Sequence, residues 1–457
     1  MGMYISRRNL IYLSCAGALA CGLSACKQGE LQGGSGKDDL WKTPPSSTKG
    51  LYGFIDESGD WAIKPQFKDF CFFSDNEVAP AVCKRDPDPQ SESIFYSGII
   101  DTSGRWIKEP KKSLYFSYEF SESLVGATQI KKELGYPKQD DLGGYMDTQG
   151  NWVIEPKFDL GSNKTPFSFE KPDVLINEAH AKALNVFDKS NNSTFVGVID
   201  KRGDWIIEPK YRSIVWDSFH GELTVGLALA QDTTNKENSL WGFIDGKGNW
   251  KIQPIFKEAY AFIGDYAEVV ESSTGLHGAI NQDGDWVLHP EFSKLFCINQ
   301  VYCTAQDPQS ELYGILDFST GEWRVKPRWK TIRRLSSTAI VAQETDSECL
   351  GVYSAIDGST ILVAWYSDAL YVEDRPFIAV KDRETDLWGL VDANGIWQIK
   401  PTYKDISYSS KGSLLPAQDA QTGLWGYIDE SGEWVILPQF RYASSFYKGL
   451  ASASSNT

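Results

Sequence analysis

A sixteen-residue block, Tyr52-Gly53-Phe54-Ile55-Asp56-Glu57-Ser58-Gly59-Asp60-Trp61-Ala62-Ile63-Lys64-Pro65-Gln66-Phe67, recurs along most of this chain. A sequence that repeats every few dozen residues folds by stacking copies of one small unit, because no single copy buries its own apolar face. The tryptophan of the block, Trp61, returns at Trp106, Trp152, Trp205, Trp250, Trp286, Trp323, Trp397 and Trp434. Each has a proline four residues later: Pro65, Pro110, Pro156, Pro209, Pro254, Pro290, Pro327, Pro401 and Pro438. Glycine stands two before each Trp, and eight of the nine have another glycine eight before; Trp323 has Gly314 nine before. The steps are 45, 46, 53 and 45, then 36 or 37, except that Trp323 to Trp397 is 74, twice 37. A decayed copy fills that gap: Gly351-Val352-Tyr353 and Gly358-Ser359-Thr360, with Thr360 at the Trp position and no proline at 364. The array has ten units.

Each unit reads as β-structure. Trp241-Gly242-Phe243-Ile244-Asp245 alternates bulky and small residues before a Gly-containing turn, and Trp250-Lys251-Ile252 follows as a second strand that Pro254 ends. Asp at the start of the turn with Gly three later suits a type I turn closed by a glycine bulge. A third strand precedes the hairpin, as in Leu223–Ala230 and Pro376–Val380. An aromatic six after the Trp (Phe67, Phe158, Tyr211, Phe256, Phe292, Trp329, Tyr403, Phe440) is expected to pack between neighbouring units. The repeated Asp, Gly, Trp and Pro thus have structural work that needs no catalytic role.

This pattern resembles the WG-repeat family, short bacterial β-repeats named for a Trp-Gly pair. The pair is literal at Trp241-Gly242, Trp388-Gly389 and Trp425-Gly426, and the resemblance runs from Gly50 to the end. It implies a β-repeat scaffold for interactions and carries over no catalytic residue. The expected fold is all-β: ten tandem three-stranded antiparallel repeats of about 37 residues, forming a propeller-like ring. An open curved β-solenoid is the alternative. The chain enters with a hairpin at Leu51 and leaves with Gly449-Leu450-Ala451-Ser452-Ala453, a third strand lacking its hairpin. That offset is the phase a closed ring uses.

The longer early steps place insertions at Lys84 to Tyr96, Lys131 to Gly143 and Gln231 to Ser239, between the third strand and the next hairpin. A fourth runs from Leu160 to Lys182, where Asn177-Glu178-Ala179-His180-Ala181 is expected to form a helical turn. Insertions gathered on one edge of an array mark a working face, or drift in solvated turns. With 61 acidic and 45 basic residues the net charge is -16, which repels phosphate backbones and argues against nucleic acid as a partner.

The first residues read as an export signal. Arg7 and Arg8 precede Leu10–Ala25, sixteen residues without a charge, too short for a membrane span. Leu23-Ser24-Ala25-Cys26 resembles the bacterial lipobox, which implies cleavage before Cys26 and its acylation, with palmitate among the chains; Ser6-Arg7-Arg8-Asn9-Leu10 is similar to a twin-arginine signal. The expected divisions are a signal peptide at 1–25, a lipid-anchored flexible tether at 26–49 and the repeat array at 50–457. The location that follows is the bacterial cell envelope, at an outer membrane or cell surface.

The remaining chemistry is sparse. Beyond the signal and Cys26 stand Cys71, Cys83, Cys297, Cys303 and Cys349; Cys71 with Cys83, and Cys297 with Cys303, take equivalent places in two units and are candidate disulfides in an oxidising compartment. Buried reduced thiols are the other reading. The four histidines (His180, His220, His277, His289) are scattered, with no metal, nucleophile-elbow or phosphate-loop motif, so neither cofactor nor metal is expected. The expected function is a non-catalytic lipoprotein whose array binds an envelope or extracellular protein. The alternative is carbohydrate binding, which would use Trp41, Trp216 and Trp365, the tryptophans the repeat leaves over.

Overall fold

The computed structural model describes residues 50–455 except 69–72, 86–93, 118–119, 121–122, 131–140, 160–174, 177–178, 189–192, 216–225, 234–238, 300, 372–376, 393–394 and 408–413. The signal, Cys26 and the tether lie outside these residues. Thirty-five strands are described, and every pairing among them is antiparallel.

Unit five shows the plan. The glycine strand Trp241–Ile244 pairs with the tryptophan strand Trp250–Ala259, matching Phe243 to Ile252 but Trp241 to Phe256. Two residues on one strand therefore face four on the other, and the excess forms a bulge around Pro254. A Cβ on Gly242 would lie 2.6 Å from the Ile252 carbonyl oxygen, so the bulge can form only against glycine. The turn between the strands is closed by the Gly248 amide donating to the Asp245 carbonyl at 2.9 Å, with Gly248 at φ 76°. In unit ten the Ser431 hydroxyl and the Glu433 amide hold the Asp429 carboxyl below its ordinary value of 3.8. The expected hairpin is present in all ten units.

The third strand lies on the other side of the glycine strand. In unit five it is Ala228–Gln231, which sets Ala230 opposite Gly242; this alanine strand fills a place too narrow for large side chains. Beyond it lies a short fourth strand, Ser213–Val215, that the three-stranded reading did not contain. It arises from residues past the aromatic. In Trp250–Ala259, Trp323–Arg334, Thr360–Tyr371 and Trp397–Ile406 it is simply the tail of the preceding tryptophan strand. Phe256, for example, faces Trp241 in its own unit and Glu271 in the next.

The expected helical turn near 177–181 is corrected. Ala179–Asp188 is a strand, paired from Ala181↔Asp200 to Asp188↔Ser193. Residues 177–178 lie outside the described residues; from Ala181 on, ladder pairing along eight residues overrides the local helix preference of alanine.

Units join turn to strand. Each turn glycine rests on an aliphatic stem of the unit before it: Gly104 on Ile63, Gly203 on Ile154, Gly248 on Ile207, Gly395 on Leu362, Gly432 on Ile399. The repeat tryptophan stands edge-on to the preceding aromatic, as Trp106 does to Phe67 (6.1 Å, 82°) and Trp434 to Tyr403 (5.3 Å, 89°). Unit one makes the same contacts with unit ten: Gly59 on Ile436, and Trp61 on Phe440 at 5.6 Å and 85°. The alanine strand of unit one is Ala451–Ser454 from the far end of the chain, paired with Tyr52–Ile55. First and last units are neighbours, as a propeller-like array requires.

In unit eight, where Thr360 replaces Trp, the large ring comes from the other side. Trp329 of unit seven is fully buried and packs on Tyr353 at 5.3 Å, with Gly358 against its edge.

Candidate functional site

The repeat tryptophans Trp61, Trp106, Trp152, Trp205, Trp250, Trp286, Trp323, Trp397 and Trp434 all begin a tryptophan strand and lie partly buried at unit junctions. Alternate residues of a strand face opposite ways. In unit ten Ile436 and Phe440 turn inward, while Val435, Leu437 and Gln439 form an exposed outward row. The inward positions repeat from unit to unit, and the outward rows do not. Unit four presents Ile206, Glu208 and Lys210; unit seven Arg324, Lys326 and Arg328; unit nine Gln398, Lys400 and Thr402.

Unit eight alone has three apolar residues in this row: Ile361, Val363 and Trp365. Val363 is 71% exposed and Trp365 48%. The residue just before each repeat Trp is polar or charged in nine units (Asp60, Arg105, Asn151, Asp204, Asn249, Asp285, Glu322, Ser359, Glu433). In unit nine it is Ile396, 61% exposed.

These two departures meet. The third residue of the row reaches the next unit's turn glycine: Lys157 donates to the Gly203 carbonyl at 3.0 Å, Lys210 to Gly248 at 3.0 Å, and Arg328 to Gly358 at 2.9 Å. The turn of Gly395 and Ile396 meets unit eight at Ile361, whose carbonyl oxygen would lie 3.4 Å from a Cβ on Gly395. Gly395 itself sits on Leu362. The Thr385 hydroxyl and, more weakly, the Trp365 indole N–H hold the Asp382 carboxyl below its ordinary range. Unit eight thus presents an apolar row, Ile361, Val363 and Trp365, between units whose corresponding rows carry Arg324, Lys326 and Arg328 on one side and Lys400 on the other.

The other tryptophans do not extend it. Trp388 is 6% exposed, Trp241 and Trp425 are half-buried, and Trp41 and Trp216 lie outside the described residues.

One buried ionisable pair was missed by sequence reasoning. His277 takes the place of the Trp in the WG pair, and its Nδ1 lies 2.8 Å from Oε1 of Glu268, which is 4% exposed. Glu268 stands in the alanine strand where other units carry Thr304, Val341, Ala379 or Ser452. Burial pushes the Glu268 carboxyl up to about 7, with a small further push from Glu258 and an opposing pull from His277. Burial, then Glu268 and Glu258, raise the Tyr260 hydroxyl to about 12.

A folded-state value above the unfolded 4.5 means that the native protein holds the extra proton. The stability this group contributes is therefore complete below the unfolded value and is lost as pH climbs through about 7. Glu268→Gln keeps the shape without the charge. It is expected to gain on wild type by roughly 1–3 kcal/mol between pH 5 and pH 8. Thermal unfolding at both values measures this, and a gap that does not change with pH would refute the assignment.

Cys297 and Cys303 face each other directly across neighbouring strands, and both are thiols, so the candidate bridge is not formed here. Burial, followed by the Glu268 charge, raises Cys297. Cys83 is buried, and Cys71 lies outside the described residues. Cys349 is buried, with the Arg383 guanidinium donating to its sulfur at 3.0 Å.

The family described as WG containing repeat matches five stretches, residues 52–83, 144–161, 197–223, 241–272 and 425–456. A search of curated proteins gives no match. Among solved structures, a eukaryotic initiation factor is 11% identical over 76% of this chain and 95% of its own, with a TM-score of 0.44. Kluyveromyces lactis Hsv2 is 11% identical over 55% of this chain and 92% of its own, at 0.31. The β-propeller domain of the trilobed protease from Pyrococcus furiosus is 9% identical over 75% and 93%, at 0.29. The chain thus carries repeats of the WG family at both ends of a ten-unit β-array.

Proposed function

We propose that this chain is a non-catalytic interaction scaffold, held at a bacterial envelope by acyl chains on Cys26, whose array binds another envelope or extracellular protein. The observation that carries the reading is the contrast between inward and outward positions. Gly, Trp and aromatic residues return at fixed places inside, while the exposed rows differ from unit to unit. A constant frame with a varied surface is how repeat proteins build binding faces. The lipobox-like Leu23-Ser24-Ala25-Cys26 supports the anchor.

Two measurements test it. Cells fed labelled palmitate should label the wild-type chain and not Cys26→Ala; equal labelling of both removes the anchor. The chain, immobilised and offered an envelope extract split into protein and glycan fractions, should retain one protein species. Exposure of Trp365 favours the glycan alternative. Retention of polysaccharide that survives proteolysis of the extract would establish that alternative in its place.

A further inference from the structure

We infer that unit eight is a docking edge for an extended, acidic-apolar peptide segment of a partner protein, which adds as a strand beside residues 360–365. The inference rests on the scaffold reading and gives it a site. Among the described residues, 360–365 pair on one side only, with Leu350–Ser354; the neighbour Phe377–Asp382 begins to pair at Tyr366. Strand Thr360–Tyr371 is one of the two longest described, at 12 residues. An edge left unpaired in this way is a template for strand addition, and proteins blunt such edges with proline or charge. In nine units the corresponding stretch contains proline; in unit eight Ala364 stands there and every backbone N–H is retained.

The side chains point the same way. Row residues Ile361, Val363 and Trp365, with Ile396 beside them, offer apolar contacts at every second position, the spacing an added strand presents. The corresponding rows of the units before and after carry Arg324, Lys326 and Lys400, all exposed, and favour acidic residues in the occupant. Thr360, Ala364, the apolar row and Ile396 are separate departures from the repeat, and all fall at one junction.

The test uses substitutions that restore what sibling units carry, so the fold is not at stake: Ala364→Pro, Val363→Lys and Ile396→Asn. The probe is a displayed library of random twelve-residue peptides. Enriched peptides should alternate apolar residues with acids, and should slow amide exchange in residues 361–365. Affinity should fall at least tenfold with Ala364→Pro and with Val363→Lys. Melting points equal to wild type confirm folding.

No enrichment, binders of another pattern, or binders indifferent to Ala364→Pro would overturn the docking edge. Binding to phosphatidylglycerol vesicles that the same substitutions abolish would also overturn it, in favour of a lipid surface. If the envelope protein captured by the wild-type chain is still held by Ala364→Pro, the docking edge falls while the scaffold reading stands. If no envelope protein is captured at all, both fall.

Discussion

A chain ending at Lys448 is expected to melt at least ~10 °C below the intact protein and to lose its single cooperative transition. The missing residues include Ala451–Ser454, which lie between Tyr442–Ala443 and Tyr52–Ile55. Four register pairs tie this strand to the glycine strand of unit one, and Ala451 and Ala453 are buried in a cluster with Ile55, Tyr427, Phe440 and Phe446. Without it, the sheet of unit one shrinks to the hairpin Tyr52–Phe67, which is marginal by itself and keeps only its packing against unit two. The effect should not stay local. Trp61 packs on Phe440 and Gly59 on Ile436, so a frayed first hairpin uncovers unit ten as well. In an open solenoid, loss of a terminal strand costs only that unit's share of the stability. Calorimetry with amide exchange across Tyr52–Ile55 separates the two. A fall of a degree or two, with exchange raised only at the trimmed end, would mean that the contact between unit ten and unit one carries little of the fold.

Much of this architecture was legible because the unit is tightly constrained. The bulge admits only glycine, its turn needs a residue at positive φ, and the tryptophan must meet the preceding aromatic. Each demand leaves a fixed residue at a fixed spacing, and ten copies make the spacing visible. The short fourth strand left no such mark. Lys257-Glu258-Ala259 reads as a solvated segment, and its ladder is imposed by Tyr266–Glu271 of the next unit. Ala179–Ala181 misled in a similar way: Ala181 opens the ladder to Asp200, while Ala179 and His180 pair with Ile176 and Leu175. Glu268 was hidden because a lone Glu beside two valines suggests exposure, and only the register that sets His277 opposite Val270 puts imidazole and carboxylate together.

The apolar patch was half visible. Trp365 stood out as a tryptophan the repeat does not use. Its companions needed the knowledge that alternate residues of the tryptophan strand form one outward row. The polar character of the residue before each Trp, which makes Ile396 an exception, was present in the sequence but gains meaning only once that turn is seen resting on the unit before.

Gly389→Ala is expected to destabilise the protein by about 3 kcal/mol, near the upper end for overpacking by one methyl. The added Cβ would lie 2.5 Å from the Ile399 carbonyl oxygen and 2.8 Å from both the Pro401 nitrogen and the Trp397 ring. Two of these are backbone atoms of the bulge and cannot turn aside as a flexible side chain would. Relief requires the tryptophan strand to move away, which disturbs Trp397 where it meets Tyr366 at 6.1 Å. A shift in tryptophan emission should therefore accompany the loss. Gly275→Ala is the control: Gly275 has φ 72°, and its Cβ would meet only the Lys257 ammonium group at 3.8 Å. There the cost is the left-handed conformation alone, about 1–2 kcal/mol. Denaturant unfolding of both variants decides the matter. Equal losses would mean that the bulge yields to an added methyl and that close approach is not what requires glycine opposite it.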